Sequence, residues 1–179
     1  FLYFLISLSI AASIVHGIRK LANINRFEGP ADSIFAAHRV DNELNIKHGF
    51  YSTLAAFSSA AGGASVGQYG PLVHLGATIG AWIKEKSKSG LSTDIFIGCG
   101  VSAAISAGFT APIAGVIFAH EAITRHFSLR ALAPISISSG IAYLCSELLW
   151  ANELPLQQVT EISEESFNLT LIFTLIVAP

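Results

Sequence analysis

Apolar and polar residues alternate along this chain in long blocks, not in the two-residue rhythm of a half-buried strand. Phe1–Val15 is apolar apart from serines and closes on Arg19-Lys20. That block is roughly long enough for a helix that crosses a bilayer. Residues 21–47 are polar and charged, with a turn at Gly29-Pro30 and a short helix expected from Ser33. Gly49–Val66 is a second apolar run, Leu72–Ile83 a half-length helix, and Lys84–Gly90 a hydrophilic loop. Ile95–Ala107, Ile113–Ala122 and Leu129–Trp150 follow as apolar helices. Asn152–Phe167 is a loop, and Leu169–Ala178 begins another span.

Two Gly/Pro interruptions cut what would otherwise be membrane-length runs. Gly67-Gln68-Tyr69-Gly70-Pro71 separates the second run from the third, and Gly108-Phe-Thr-Ala-Pro112 separates the next pair. Proline is expected at the first position of a new helix, where its missing N–H costs nothing. This puts Pro71 at the start of a helix whose unpaired N–H groups and positive dipole end attract anions. Non-helical backbone at membrane depth must line a cavity, because lipid cannot satisfy it. The local reading is a broken transmembrane helix aimed at an anion.

Composition strengthens the membrane reading. The chain is 52% hydrophobic and 12% charged, with a mean hydropathy of +0.59. Soluble domains carry roughly 25% charged residues. The net charge of −2 says nothing about partners, and no basic patch suggests nucleic acid. Cys99 and Cys145 fall in apolar segments and read as small buried hydrophobes, not as a disulfide or metal pair. No His/Cys/Asp/Glu spacing suggests a metal site, no Ser-His-Asp or Cys-His arrangement suggests an enzyme, and no cofactor is implied. The chain opens on Phe1 and stops at Pro179 inside apolar runs, so it reads as a piece of a longer membrane protein.

Small residues recur at four-residue spacing, at Gly63/Gly67, Gly76/Gly80, Gly98/Ser102/Ser106 and Ala111/Gly115. This spacing lets helix backbones approach closely. Charge asymmetry supplies an orientation. Arg19/Lys20, Lys84/Lys86/Lys88 and Arg125/Arg130 mark basic loops, whereas 152–167 carries Glu153, Glu161, Glu164 and Glu165. By the positive-inside rule the basic loops are cytoplasmic and the acidic one external. Two out-and-back units, each broken near its middle, fit an ion-pathway fold.

Gly67-Gln-Tyr-Gly-Pro71, with Gly76 and Gly80 downstream, resembles the G-x-E-G-P element of the CLC family of chloride channels and proton-coupled chloride transporters. Phe109-Thr-Ala-Pro-Ile-Ala-Gly115, running on to Phe118 and Glu121, resembles that family's F-x-A-P-x-A-G helix start. The resemblance covers nearly the whole chain. It implies an all-α membrane fold of tilted and discontinuous helices, part of an inverted repeat, with residues 1–179 forming most of the first repeat and the start of the second. It also implies a multi-pass protein of the plasma (inner) membrane and a homodimer with one pore per subunit, contacting its partner around Ile113–Ala122 and Leu129–Trp150. Chloride or a similar small anion would pass along Gly67, Gln68, Tyr69, Gly70 and Pro71, and along Gly29, Pro30 and Ala31, which stand where the family's G-S-G-I-P element is expected.

Departures from the family pattern bear on mechanism. The gating glutamate position is Tyr69, and tyrosine stays neutral near pH 7 with a reference pKa of about 10. The proton-relay position falls on Ala122, beside Glu121, the candidate internal acid. The usual serine becomes Gly29, so an anion there would meet backbone N–H groups only. These changes favour passive conduction with Tyr69 as gate. The alternatives are a proton- or ion-coupled antiporter and a non-conducting anion-binding protein. Bland readings stand beside these: Tyr69 as a packing aromatic, Glu121 as a structural acid, and His74 and His120 as satisfied core histidines.

Overall fold

A computed structural model describes residues 2–39, 44–64, 67, 69–125 and 128–150. Among these residues the regular structure is helical, with no strand. The order is α1 (Leu2–Ala22), α2 (Pro30–His38), α3 (Ile46–Ala61), α4 (Tyr69–Lys86), α5 (Thr93–Phe109), α6 (Pro112–Phe118), a π-helical turn (Ala119–Thr124) and α7 (Leu129–Trp150). Phe1–Cys145 forms one compact unit; of the second unit, from Ser146 onward, the described residues are the last turn of α7. The loop expected at 152–167 and the span expected at Leu169–Ala178 lie outside the described residues.

Local chemistry explains the boundaries. The Asn45 side chain accepts a hydrogen bond from the His48 N–H at 3.1 Å and caps α3. Gly63, at φ +97°, and Gly67, at φ +75°, carry the chain away from α3 in conformations that L-residues rarely adopt. Gly63/Gly67 is therefore a turn device, not the helix-packing pair that its spacing suggested. The helix after this turn opens at Tyr69, two residues earlier than expected. Pro71 occupies its third position, still within the first turn, where N–H groups have no intrahelical acceptor. Thr110, at φ +51°, ends α5, and Pro112 opens α6 as expected. The helix expected to end at Ala122 runs to Thr124 through the π turn, and Arg125 at φ +54° stops it.

The centre of the unit is the α4–α5 pair. A Cβ placed on Gly100 would overlap the Gly76 carbonyl, and one on Gly80 would overlap the Phe96 carbonyl. The two backbones thus touch, which only small residues permit. The partner row on α5 is Gly100 and Ala104, while the expected row Gly98/Ser102/Ser106 faces α7. Gly98 lies against Ile135. The Ser102 and Ser106 hydroxyls donate to the carbonyls of Ile135 and Ser139, at 3.2 and 2.7 Å. Ser139 in turn donates to the Pro112 carbonyl at 2.8 Å. These serines satisfy buried polar groups across helices, as membrane bundles require. Val73, Ala77, Ile97, Val101 and Ile123 fill the apolar core between them.

Cysteine placement departs from expectation. Cys99 is only partly buried and Cys145 is exposed; both are free thiols. Leu129–Leu149 in α7 is the one helix, among the described residues, both long and apolar enough to cross a bilayer.

Candidate functional site

Two Gly-Pro helix starts meet in this fold. Gly29 caps α2 with extended backbone, and Pro30 is its first residue. Pro30 lies against the start of α4, where a Cβ on Gly70 would sit 3.5 Å from the Pro30 ring. Tyr69, the first residue of α4, packs its ring against Phe109 and Phe118, with centroids 6.0 and 5.9 Å away. Phe109 immediately precedes the Thr110-Ala111-Pro112 break, so Tyr69 joins both interruptions. Ala31, Gly67 and Tyr69 are exposed, and Tyr69 retains 42% of its surface. Of the anion-pathway residues named from sequence, Gly29, Pro30, Ala31, Gly67, Tyr69, Gly70 and Pro71 thus fall at or beside one junction. Gln68 lies outside the described residues.

The α2 start is not the open row of N–H groups anticipated from sequence. Asp32 turns back, and its carboxylate accepts a hydrogen bond from the Gly29 N–H at 2.8 Å. Arg26 pairs with the same carboxylate. Pro30 has no N–H to offer. The Gly29 N–H is therefore engaged by Asp32, and a negative side chain stands at this end of the helix dipole. The signal was present in the sequence: an acid three residues after a helix cap is a recognised capping pattern.

A polar cluster that the sequence reading missed lies behind these starts. His74, buried in α4, shares a 2.7 Å hydrogen bond between Nδ1 and Ser33 Oγ of α2. Its Nε2 has no hydrogen-bond partner and lies 3.9 Å from Glu28 Oε2, which is also without one. Glu28 Oε1 is 3.7 Å from His48 Nδ1. The Glu28 N–H donates to Ser52 Oγ at 2.9 Å. Burial raises the Glu28 carboxyl above its ordinary pKa of 4.5, with His48 and Arg26 opposing and Asp32 reinforcing the shift. His74 is therefore not the fully satisfied core histidine expected. Its partners come from separate segments, so no local spacing announced them.

Glu121 is exposed in the first turn of the π-helical segment. Buried His120 beside it approaches Thr124 Oγ1 at 3.4 Å through Nδ1. No cluster of three or more metal-ligating side chains occurs among the described residues.

The junction is a packed all-helical frame with glycine-rich helix starts gathered at one point. The chain belongs to the voltage gated chloride channel family, whose pattern it matches over residues 9–178. It is similar to the voltage-gated ClC-type chloride channel ClcB of Yersinia pseudotuberculosis, with 25% identity over 130 residues, which are 73% of this chain and 31% of that protein. It is similar also to ClcB of Citrobacter koseri, with 26% identity over 139 residues, 78% of this chain and 33% of that protein. The chain thus spans about a third of the length of these relatives. No solved structure matched it. Family membership makes this an integral membrane protein and fixes the all-α class.

Proposed function

We propose that this chain carries part of a passive pathway for chloride or a similar small anion, with the α4 start as its main electrostatic element. The observation that carries the reading is the meeting of the α2 and α4 starts under Tyr69. Backbone N–H groups at a helix start can replace water around a dehydrated anion, weakly enough for it to leave. At α4 no acidic side chain stands in the first turn, so the positive end of the dipole is available. Tyr69 acts as the gate: its ring rests on Phe109 and Phe118, and displacing it uncovers the helix start. Tyrosine cannot shuttle a proton near neutral pH, and Ala122 cannot relay one, which supports conduction without stoichiometric proton exchange.

The anion pathway belongs to the whole protein, completed by the parts of the relatives that this chain does not span. The reading places it in the inner membrane as a homodimer, with Lys84–Lys88 cytoplasmic and 152–167 external. The exposed apolar residues Ile113, Ile117, Ile137, Ile141 and Leu144 on α6 and α7 support a partner contact on that side. Chloride efflux from proteoliposomes holding the full-length protein, with external pH recorded in parallel, tests the function. Chloride efflux with no coupled proton movement is expected. Uphill proton transport driven by a chloride gradient would replace this reading with the coupled one, and absence of any anion flux would leave a binding protein.

A further inference from the structure

Beyond the pathway itself, we propose that Glu28, His48 and His74 form a proton-binding cluster whose charge sets how tightly the adjoining α4 start holds an anion. The inference rests on the reading of that start as an anion seat. Its own foundation is geometric. His74 is 1% exposed, yet one ring nitrogen has no hydrogen-bond partner and faces a carboxylate oxygen in the same condition at 3.9 Å. Two buried polar atoms left unpaired in this way are costly. Their separation is about an ångström more than a charge-assisted hydrogen bond needs. A proton gained by the pair, with a small closing movement, satisfies both atoms at once.

His48 links the pair to solvent. Its Nδ1 lies 3.7 Å from the second Glu28 oxygen, and its side chain is 39% exposed in the first turn of α3. A proton can thus reach the buried pair without crossing the core. The charged groups facing Glu28 are Arg26 from its own loop, Asp32 from α2, and His48 and His74 from α3 and α4. Arg26 and Asp32 pair with each other and cancel. Glu28 is then the uncompensated charge when the histidines are neutral. It stands one residue before Gly29-Pro30, and Pro30 touches the α4 start, so its charge falls where an anion would be held. The raised pKa of Glu28 fits this role.

The sign follows. An ionised Glu28 repels an anion at the α4 start. Protonation removes that charge. Anion affinity therefore rises as pH falls, and by reciprocity anion binding draws protons from solution. A proton that enters and leaves past His48 on one side carries no net current, so the device modulates passive conduction without coupling it.

The test uses the full-length protein and chloride itself. Titration calorimetry between pH 8 and pH 5 should show chloride affinity rising on the order of tenfold. Addition of chloride to the weakly buffered protein near pH 6 should take up protons. Glu28→Gln should hold the acid-level affinity at every pH and abolish the uptake. Proton uptake by the unmodified protein needs no variant, so the proposal stays testable even where Glu28→Gln misfolds. Equal chloride affinity at pH 5 and 8 with no proton uptake overturns the proposal and leaves the pathway standing. A Glu28→Gln protein with unchanged pH dependence does the same. Chloride that binds at neither pH overturns both.

Discussion

The starts of α2 and α4 carry the same Gly-Pro signature and touch each other, yet they are electrostatically opposite. At α2 an acid in the first turn closes the end: Asp32 accepts from the Gly29 N–H and is held by Arg26. At α4 no acid stands in the first turn, and the aromatic ring of its first residue, Tyr69, rests on Phe109 and Phe118. The backbones differ as well. Gly29 has ordinary extended geometry with open space around it, whereas Gly67 needs φ +75°. One start is therefore self-sufficient and the other is left for a ligand. A Gly-Pro pair announces where a helix begins; the side chain one turn in decides whether its dipole remains unspent.

The largest expected effect comes from making the two starts alike. Tyr69→Glu puts a carboxylate at the α4 start, where it is electrostatically favoured and competes with an anion. Chloride efflux from proteoliposomes at pH 7.5 should fall on the order of tenfold. It should recover below pH 5 as the carboxyl protonates. Efflux equal to that of the unmodified protein would mean that Tyr69 does not stand on the pathway.

Backbone substitution probes the next difference. Gly67→Ser should cost about 1–2 kcal/mol of stability, because an L-residue is strained at positive φ. Gly29→Ser should be neutral or slightly stabilising, since serine suits an extended cap. Thermal unfolding of the two variants side by side checks this, and equal losses would erase the distinction between the turns.

Opening the closed start is a smaller change. Asp32→Asn removes the charge on the Gly29 cap and the partner of Arg26, and should cost about 1 kcal/mol. Arg26 is largely exposed, so little of that loss comes from the ion pair itself. Chloride affinity should rise, because the α2 dipole is no longer neutralised. A fall in affinity would show that Asp32 supports the anion seat instead of shielding it.

The smallest effect is on stability against pH. Glu28 holds its proton more tightly in the folded protein than its ordinary value of 4.5 implies, so unfolding releases protons. The folded state is favoured most below that value and loses this advantage as pH rises through the raised pKa. The unfolding midpoint should therefore decline from pH 4 to pH 7 more steeply in the unmodified protein than in Glu28→Gln. Parallel curves would remove Glu28 from the account.

Much of the fold was legible along the chain. Apolar blocks of helical length, glycine and proline at the breaks, and Gly76/Gly80 at four-residue spacing are local or periodic signals, and each appears in the structure where α4, α5, α6 and α7 form. The boundaries were less secure. Pro71 tolerates any position in a first turn, so it could not fix the residue at which α4 opens. The small-residue row of α5 at Gly98/Ser102/Ser106 packs on α7 and a second row, Gly100 and Ala104, meets α4, since a helix rich in small residues offers several packing faces and only the partner selects among them.

By itself the sequence determined the class of the protein, its breaks and the residue types at the helix starts, because these depend on composition and on neighbours a few positions apart. Tertiary structure alone decided that Pro30 would lie on Gly70, that Tyr69 would bridge to Phe109 and Phe118, and that Glu28 and His74 would face each other unpaired. The members of each of these contacts stand on different elements, far apart along the chain. Their chemistry depends on burial and distance, which no local pattern encodes.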